Sequence, residues 1–328
     1  MKQLLAITDA GCPASQRYRV TQFAGYFQQH NVQVQAIPCP HEPSAIAQLL
    51  RAAEQAEVVV IQRFLPTTAL LKQIRQRARR LVYDFDDAVI YGDSAHHKPR
   101  VKLRRWWRFR QMMLQCDAVT AGNAYLAGLA GLHADRRRIF TVPTVVEMER
   151  YEREPAPDRP PSALGWIGGR WTLPYLEQLR RPLEQLSGTH PGLVLQVIAD
   201  RTPDLGKVPV VLSPWHESTE VRDLKALRAG LAPLPNDAWT RGKCGLRLLQ
   251  YLAAGIPAVA APVGTQADII RLGAALPAED DDGWRSGIQR ILADPGAVAG
   301  LVARGRELVR EHYSVAAWSP RLLTIWCA

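Results

Sequence analysis

Short stretches rich in β-branched residues alternate with helical patterns along the chain, and this alternation constrains the fold more than any other feature. Six strand-like stretches occupy the first half, namely 3–8, 32–37, 57–61, 81–84, 117–121 and 139–142. Six more occupy the second half, namely 163–167, 193–199, 208–212, 230–234, 257–261 and 274–277. Alternation with short connections predicts parallel sheets covered by helices on both faces. We therefore expect an α/β protein with two doubly wound, Rossmann-like domains facing across a cleft, with ligands at the carboxyl ends of the strands.

A segment rich in proline and charge, residues 152–162, separates the two sets of strands. It carries no periodicity and is the best candidate for a linker. We expect a first domain over residues 1–155, a second over 156–312, and a C-terminal helix over 313–328 that returns to the first domain.

Charge is distributed unevenly along the chain. The formal net charge is +10, and residues 1–155 carry 22 basic against 14 acidic side chains. A basic first domain predicts an anionic partner. The five cysteines include no CxxC pair, and no apolar run reaches the roughly 20 residues that span a bilayer. These features predict a cytoplasmic protein without a zinc site.

The stretch 239–264, WTRGKCGLRLLQYLAAGIPAVAAPVG, predicts a basic loop, a helix, a tight turn and a buried strand. Arg241 and Lys243 precede the helix, and Gly242 and Gly245 free the backbone beside them. The first turn of a helix has unbonded N–H groups and a positive dipole end. The pattern indicates either a pocket for a phosphorylated ligand or an ordinary helix preceded by solvated cations.

Two further loops follow predicted strands and would face the cleft. Arg17 and Arg19 lie in GCPASQRYR after the first strand, where they indicate either contact with an anionic group or a solvated first turn. The segment 168–170, Gly-Gly-Arg, follows the first strand of the second domain, where Arg170 indicates a ligand contact or a plain tight turn.

Three carboxylates end the fourth strand, in the sequence YDFDDA, and repel one another unless a ligand or cation uses them. Asp86 and Asp87 would project into the cleft, where one could orient sugar hydroxyls and the other could steer a nucleophile. A second interpretation is a metal site formed by Asp84 and Asp86. A third is capping of the following loop.

The run 97–114, HKPRVKLRRWWRFRQMML, combines seven cations with interfacial aromatic residues. A basic helix of this kind suits the surface of an anionic membrane or a lipid-linked ligand. The predicted contacts are Arg104, Arg105, Trp106, Trp107 and Arg108. An alternative is that the aromatic residues belong to the core and the cations form a solvated face. We expect no nucleic-acid partner, because no recognised binding module accompanies the run.

Several of these segments, in this order, resemble the retaining GT-B glycosyltransferases of family 4, the group 1 type. The resemblance covers nearly the whole chain and is carried by RYRVTQFAGYF, VYDFDDA, LGWIGGRW and, most specifically, GKCGLRLLQYLAAGIPAVAAPVG. It implies that a nucleotide-diphosphate sugar binds the second domain and that a glycan or lipid-linked acceptor binds the first. It further implies transfer with retention of anomeric configuration, without a metal or other cofactor, in the synthesis of cell-surface polysaccharide or glycolipid.

The resemblance also implies roles for individual residues. In such enzymes the main catalytic task is to stabilise charge on the departing diphosphate. The catalytic residues implied are Asp86, Asp87, Arg241 and Lys243. The donor-binding residues implied are Gly168, Gly169, Arg170, Gly242, Cys244, Gly245, Leu246 and Gln250. The acceptor-binding residues implied are Arg17, Arg19 and Asp84.

The chain departs from this family at two places. The usual Glu–x7–Glu pair falls on Gly242 and Gln250, and the usual Lys shortly after Arg170 is absent. Gln250 can still hydrogen-bond a ribose hydroxyl, whereas Gly242 cannot replace a carboxylate. These departures leave a non-catalytic protein that binds sugar nucleotides as the alternative function.

Overall fold

The computed structural model describes residues 1–40, 42–96, 98–157, 162–294 and 296–328. In the first half the elements are β1 (Lys2–Thr8), α1 (Pro13–Arg19), α2 (Ala24–Gln29), β2 (Val32–Pro38), α3 (Pro43–Gln55), β3 (Val58–Gln62), α4 (Thr68–Arg77), β4 (Arg80–Phe85), α5 (Leu103–Gln115), β5 (Ala118–Ala121), α6 (Ala124–Ala130), β6 (Ile139–Thr141) and α7 (Met148–Arg153). In the second half they are β7 (Ala163–Ile167), α8 (Leu173–Glu177), α9 (Arg180–Thr189), β8 (Leu195–Ala199), β9 (Val210–Pro214), α10 (Glu220–Lys225), β10 (Leu227–Ala232), α11 (Leu246–Ala254), β11 (Ala258–Ala260), α12 (Thr265–Arg271), β12 (Leu276–Pro277), α13 (Asp281–Ala293), α14 (Ala299–His312) and α15 (Val315–Cys327).

The strands form two six-stranded sheets, one in each half of the chain. The first has the order β2-β1-β3-β4-β5-β6 and the second β12-β11-β10-β7-β8-β9. Strand pairings within both sheets are parallel. The predicted α/β architecture of two doubly wound sheets is therefore confirmed.

Each sheet is buried on both faces, which is why its central strands contain few polar residues. In β3, Val59 and Ile61 join the core on one face, and Val58 and Val60 join the core on the other. Successive side chains of a strand point to opposite faces, so a run of β-branched residues fills both cores.

The last helix of the chain packs on the first sheet. Trp326, at the end of α15, is fully buried and meets the ring of Phe27 edge-on at 5.9 Å between centroids. The guanidinium of Arg80 donates hydrogen bonds to the carbonyl oxygens of Ile325 and Trp326, both at 2.9 Å. The last helix of the chain thus covers the first sheet, although it follows the strands of the second.

The structure differs from the sequence-based prediction around the expected linker and the basic helix. Residues 152 and 153 of the expected linker still belong to α7, and residues 158–161 lie outside the described ranges. The helix expected near 98–115 begins only at Leu103, because Val101 forms an antiparallel bridge with Tyr91. Residue 97 of the basic run is also outside the described ranges. None of the described helices is long and apolar enough to cross a membrane.

Candidate functional site

The strand order of each sheet reverses at one point, and these two points locate the candidate site. The reversal lies between β1 and β3 in the first sheet and between β7 and β10 in the second. Ligands of doubly wound sheets bind outside the carboxyl ends of the strands at such a point. The segments of interest are therefore those that follow these four strands, together with the acidic end of β4.

Asp84, near the end of β4, is fully buried. Its carboxylate accepts hydrogen bonds from Arg19 Nε at 3.0 Å, Arg19 Nη2 at 2.5 Å and Thr120 Oγ1 at 2.6 Å. Arg19 is 2% exposed and also donates to the carbonyl of Val142 at 2.8 Å. Because both side chains are enclosed and bonded to each other, the structure corrects their assignment as acceptor contacts. It also contradicts the metal pair of Asp84 and Asp86, since protein donors surround the Asp84 oxygens.

Asp86 is half-buried and faces α1. Its Oδ2 accepts a hydrogen bond from Ser15 Oγ at 2.5 Å, and Gln62 Nε2 in turn donates to Ser15 Oγ at 3.2 Å. Its Oδ1 is buried and has no hydrogen-bond partner among the described residues. Burial, and then the negative charge of Asp87, raise the pKa of the Asp86 carboxyl. Oδ1 of this carboxyl can therefore accept a proton from a hydroxyl group or share one with it.

Asp87 binds two cations, one from each domain. Arg63 Nη2 lies 2.7 Å from Asp87 Oδ2, and Lys243 Nζ lies 2.8 Å from Asp87 Oδ1. Burial alone would raise the pKa of the Asp87 carboxyl, but the charges of Lys243 and Arg63 lower it below its ordinary value. The ammonium of Lys243 also lies over the ring of Trp239, 4.5 Å from its centroid. Asp87 is therefore an anion that holds the basic loop of the second domain against the first.

The loop before α11 packs closely on the segment 86–88 of the first domain. A Cβ atom at Gly242 would lie 2.7 Å from both the amide nitrogen and the Cβ of Ala88. The thiol of Cys244 donates to the carbonyl of Asp86 at 3.2 Å, and Asn123 Nδ2 donates to the carbonyl of Lys243 at 3.3 Å. Gly242 stands where the resembled family has a glutamate, and the first domain fills the space that a side chain at this position would need. Gly242 and Cys244 lie in the contact between the domains instead of on an open donor surface.

Three other predicted site residues are Arg241, whose side chain points away from this contact, and Arg17 and Gln250, whose side chains lie between the two domains. Arg241 is exposed and donates through Nε to Asn236 Oδ1 at 2.9 Å. Arg17 forms an ion pair with the buried Glu220 of the second domain at 3.1 Å. Gln250 is 5% exposed, and its amide nitrogen donates to the hydroxyl of Tyr18 at 3.1 Å. Arg17 and Gln250 thus connect the two domains, and Gln250 does not present its amide at a surface.

The start of α11 and the loop after β7 lie side by side. Gly245 has φ 72° and precedes the first helical residue, the half-buried Leu246. A Cβ at Gly169 would meet no heavy atom within 4 Å, so this backbone is open to a ligand. Arg170 is mostly exposed, and its Nε lies 3.5 Å from a carboxylate oxygen of Asp200 at the end of β8.

Arg247 is a residue of this region that the sequence analysis did not identify. Its Nε donates to the carbonyl of Ile167 at 2.5 Å, its Nη2 donates to Thr172 Oγ1 at 3.3 Å, and the guanidinium lies 4.4 Å from the ring centroid of Trp166. A Cβ at Gly168 would lie 2.7 Å from Arg247 Nη2. Burial lowers the pKa of this guanidinium, and no carboxylate of the described residues forms an ion pair with it. The sequence signal was available, since Arg247 is the only charged residue of α11.

The basic helix α5 is amphipathic. Phe109, Met112 and Met113 are buried against the first sheet. Leu103 is 80% exposed and Trp107 is 49% exposed. Arg104 and Arg105 are exposed beside them, whereas Trp106 and Arg108 are half-buried. The predicted contact residues therefore divide into an outward group and a group that packs on the domain.

Within the described ranges, no group of three or more His, Cys, Asp or Glu side chains is arranged to hold a metal ion.

Comparison with known proteins identifies the architecture. No protein-family model matches the chain, and no curated protein matches it. Among solved structures, the sucrose-phosphate synthase of Thermosynechococcus elongatus matches with a TM-score of 0.75 at 16% identity, over 99% of this chain and 98% of that one. HepE of Anabaena, crystallised with UDP and glucose, matches with a TM-score of 0.72 at 11% identity, over 99% of both chains. A glycosyltransferase of Rickettsia africae matches with a TM-score of 0.71 at 10% identity, over 99% of this chain and 97% of that one. The chain therefore has the GT-B fold.

Proposed function

We propose that the protein transfers a sugar from a nucleotide-diphosphate sugar to a glycan or lipid-linked acceptor, with retention of anomeric configuration. The observation that carries the proposal is Arg247. A guanidinium with no carboxylate partner among the described residues lies beside an open glycine loop at the strand-order reversal of the second sheet. A desolvated cation in such a crevice favours an anionic ligand.

The diphosphate would bind between the loop after β7 and the first turn of α11. The open backbone of Gly169 and the N–H groups at the start of α11 can approach phosphate oxygens directly. Arg247 supplies a fork of donors on one side, and Lys243 supplies a point charge on the side that faces the first domain. These groups would stabilise the charge that develops on the leaving diphosphate.

The acceptor would bind against the first domain near Asp86. The buried Oδ1 of Asp86 has no hydrogen-bond partner in the part of the chain that the structure describes, and it lies next to the cation cluster around Asp87. A carboxyl group with a raised pKa suits a hydroxyl that must be oriented and relieved of its proton during transfer. The cations named above supply the positive charge in this scheme, and no metal is required for it.

The donor would be tested first with UDP and UDP-glucose, because HepE is crystallised with each of them. We expect UDP to bind the purified protein, measured by isothermal titration calorimetry. Arg247→Ala should weaken that binding by about tenfold to a hundredfold, because a charge-assisted hydrogen bond contributes about 1.5–3 kcal/mol. Arg290→Ala, on the exposed side of α13, is the matched control and should leave binding unchanged.

Transfer itself would be followed as release of nucleoside diphosphate in the presence of membrane-derived acceptors. A folded protein that binds no nucleoside diphosphate and releases none from a broad panel of sugar nucleotides would contradict the proposal. Binding without turnover in any acceptor mixture would favour the second candidate, a non-catalytic sugar-nucleotide-binding or assembly protein. The observation behind that candidate is the close packing of Gly242 on Ala88, which leaves no space for the family's glutamate.

We further propose that the protein acts in the synthesis of cell-surface polysaccharide or glycolipid, as a cytoplasmic protein attached to the anionic inner face of the membrane. The outward group of α5 is suited to this surface, because Leu103 and Trp107 are exposed among cations. Such a helix inserts apolar side chains at the level of the headgroups while its cations meet anionic lipid.

A further inference from the structure

Arg63 has an unusual backbone conformation at the strand-order reversal of the first sheet. It follows β3 directly and has φ 69°, a value that residues other than glycine rarely adopt. Hydrogen bonds hold this conformation from both sides: its N–H donates to the carbonyl of Asp84 at 2.7 Å, and its carbonyl accepts from the hydroxyl of Tyr83 at 2.9 Å. A strained residue that its surroundings hold so firmly is a marker of a functional position.

The conformation directs the Arg63 side chain across the crevice between β3 and β1. Its Nη1 lies 2.5 Å from the sulfur of Cys12, after β1, and its Nη2 lies 2.7 Å from Asp87 Oδ2. The other oxygen of Asp87 is bound by Lys243 of the second domain. One buried carboxylate is thus shared by two cations that come from different domains.

The two cations differ in how easily they can leave Asp87. Arg63 is fixed by its backbone and by contacts within the first domain, and its side chain is 19% exposed. Lys243 lies on the loop before α11, has a long flexible side chain that is 23% exposed, and adjoins the proposed diphosphate site. A buried carboxylate that loses its only cation is strongly destabilised. Asp87 avoids this penalty when Lys243 leaves, because Arg63 remains.

We propose that Arg63 is a positioning residue that stays on Asp87 as its counter-ion, so that Lys243 can move from Asp87 to the diphosphate of the nucleotide sugar. The inference rests on the proposed function, because it takes the diphosphate as the destination of Lys243. In this scheme Asp87 holds Lys243 near the site while the site is empty. Because Arg63 neutralises Asp87, Asp87 holds the ammonium of Lys243 less tightly than the diphosphate of the ligand does.

The test is a cycle of variants in the full-length protein, with UDP as the probe and calorimetry as the measurement. Arg63→Met removes the second counter-ion, so Lys243 is retained by Asp87 and UDP binding should weaken by about tenfold or more. Adding Asp87→Asn removes the competing charge, so the double variant should bind UDP nearly as the unchanged protein does. Arg63→Gly is the second single variant, because glycine adopts the positive φ without strain and keeps the fold.

A purely structural Arg63 would behave differently. Both Arg63 variants would then lose stability without losing UDP affinity, or Asp87→Asn would fail to restore the affinity, and either result would overturn the inference. Lys243→Met should abolish the difference between Arg63 and its variants, since no cation is left to move. If the unchanged protein binds no UDP or other nucleoside diphosphate, the proposed donor site fails and the inference fails with it.

Discussion

The change Asp84→Asn is expected to destabilise the first domain without affecting the donor site. The variant keeps the shape of the side chain but removes its charge, and the guanidinium of Arg19 is then left buried without a counter-ion. Asp84 is fully buried and Arg19 is 2% exposed, so water cannot compensate for the lost partner.

The size of the effect follows from the two charge-assisted bonds that Arg19 makes to Asp84. Such bonds contribute about 1.5–3 kcal/mol each. Removal of one partner of a buried ion pair likewise costs about 3–5 kcal/mol. For a domain of this size, each kcal/mol lowers the melting temperature by roughly 2–4 °C, so a decrease of roughly 6–20 °C is expected.

The measurements are thermal and urea-induced unfolding, followed by UDP titration of the folded variant. Arg19→Met combined with Asp84→Leu is the matched control, because replacement of both charges by apolar groups should restore much of the stability. The folded Asp84→Asn protein should bind UDP like the unchanged protein. The reasoning is refuted if the free energy of unfolding of Asp84→Asn lies within about 1 kcal/mol of that of the unchanged protein while transfer of sugar to the acceptor is lost. Asp84 would then contact the acceptor, and an internal ion pair would be the wrong description.

Two further predictions concern the membrane surface and the contact between the domains. Arg104→Glu and Trp107→Ala should each weaken the binding free energy for vesicles containing phosphatidylserine by about 1 kcal/mol or more, measured by co-sedimentation. Arg79→Glu, which changes an exposed charge in another part of the first domain, is the control. Binding that is insensitive to salt and lipid charge would contradict the membrane proposal. The pKa of Asp87 is lowered from its ordinary value of 3.8, so its ion pairs stabilise the fold fully above that value and lose this contribution as the pH falls through the lower folded pKa. The difference in unfolding free energy between the unchanged protein and Asp87→Asn should therefore be constant well above that ordinary value and should shrink as the pH falls below it, and a difference that stays constant there as well would show that the ion pairs contribute nothing.

Much of the architecture could be predicted from the sequence, because a strand that is buried on both faces consists of consecutive apolar residues. The β-branched runs of β3 and the apolar β11 are buried on both faces, and such runs occur in parallel sheets that helices cover. The tight turn predicted after the helix in the stretch 239–264 lies at Gly255, which ends α11 with φ 74°. The order of strands also predicts that Asp87 projects toward the cleft, and the structure places it there in an ion pair with Lys243 of the basic loop.

The partner of each polar side chain was decided only by the tertiary structure. Arg19 and Asp84 are 65 residues apart, and Gln250 and Tyr18 are 232 residues apart. The periodicity of a single helix or strand gives no information about such pairs. Arg19 and Asp84, which the sequence analysis predicted to contact the acceptor, therefore proved to form an internal ion pair. The sequence determined which segments lie at the carboxyl ends of the strands, because hydrophobic pattern and connection length act locally. Only the packing of one domain on the other decided that Gly242 meets Ala88 and that Arg63 and Lys243 share one carboxylate. Only the tertiary structure of the second domain placed Arg247 beside Ile167 and Thr172, with no carboxylate partner among the described residues. Each of these contacts joins segments that are far apart in the chain, and local pattern does not record such distances.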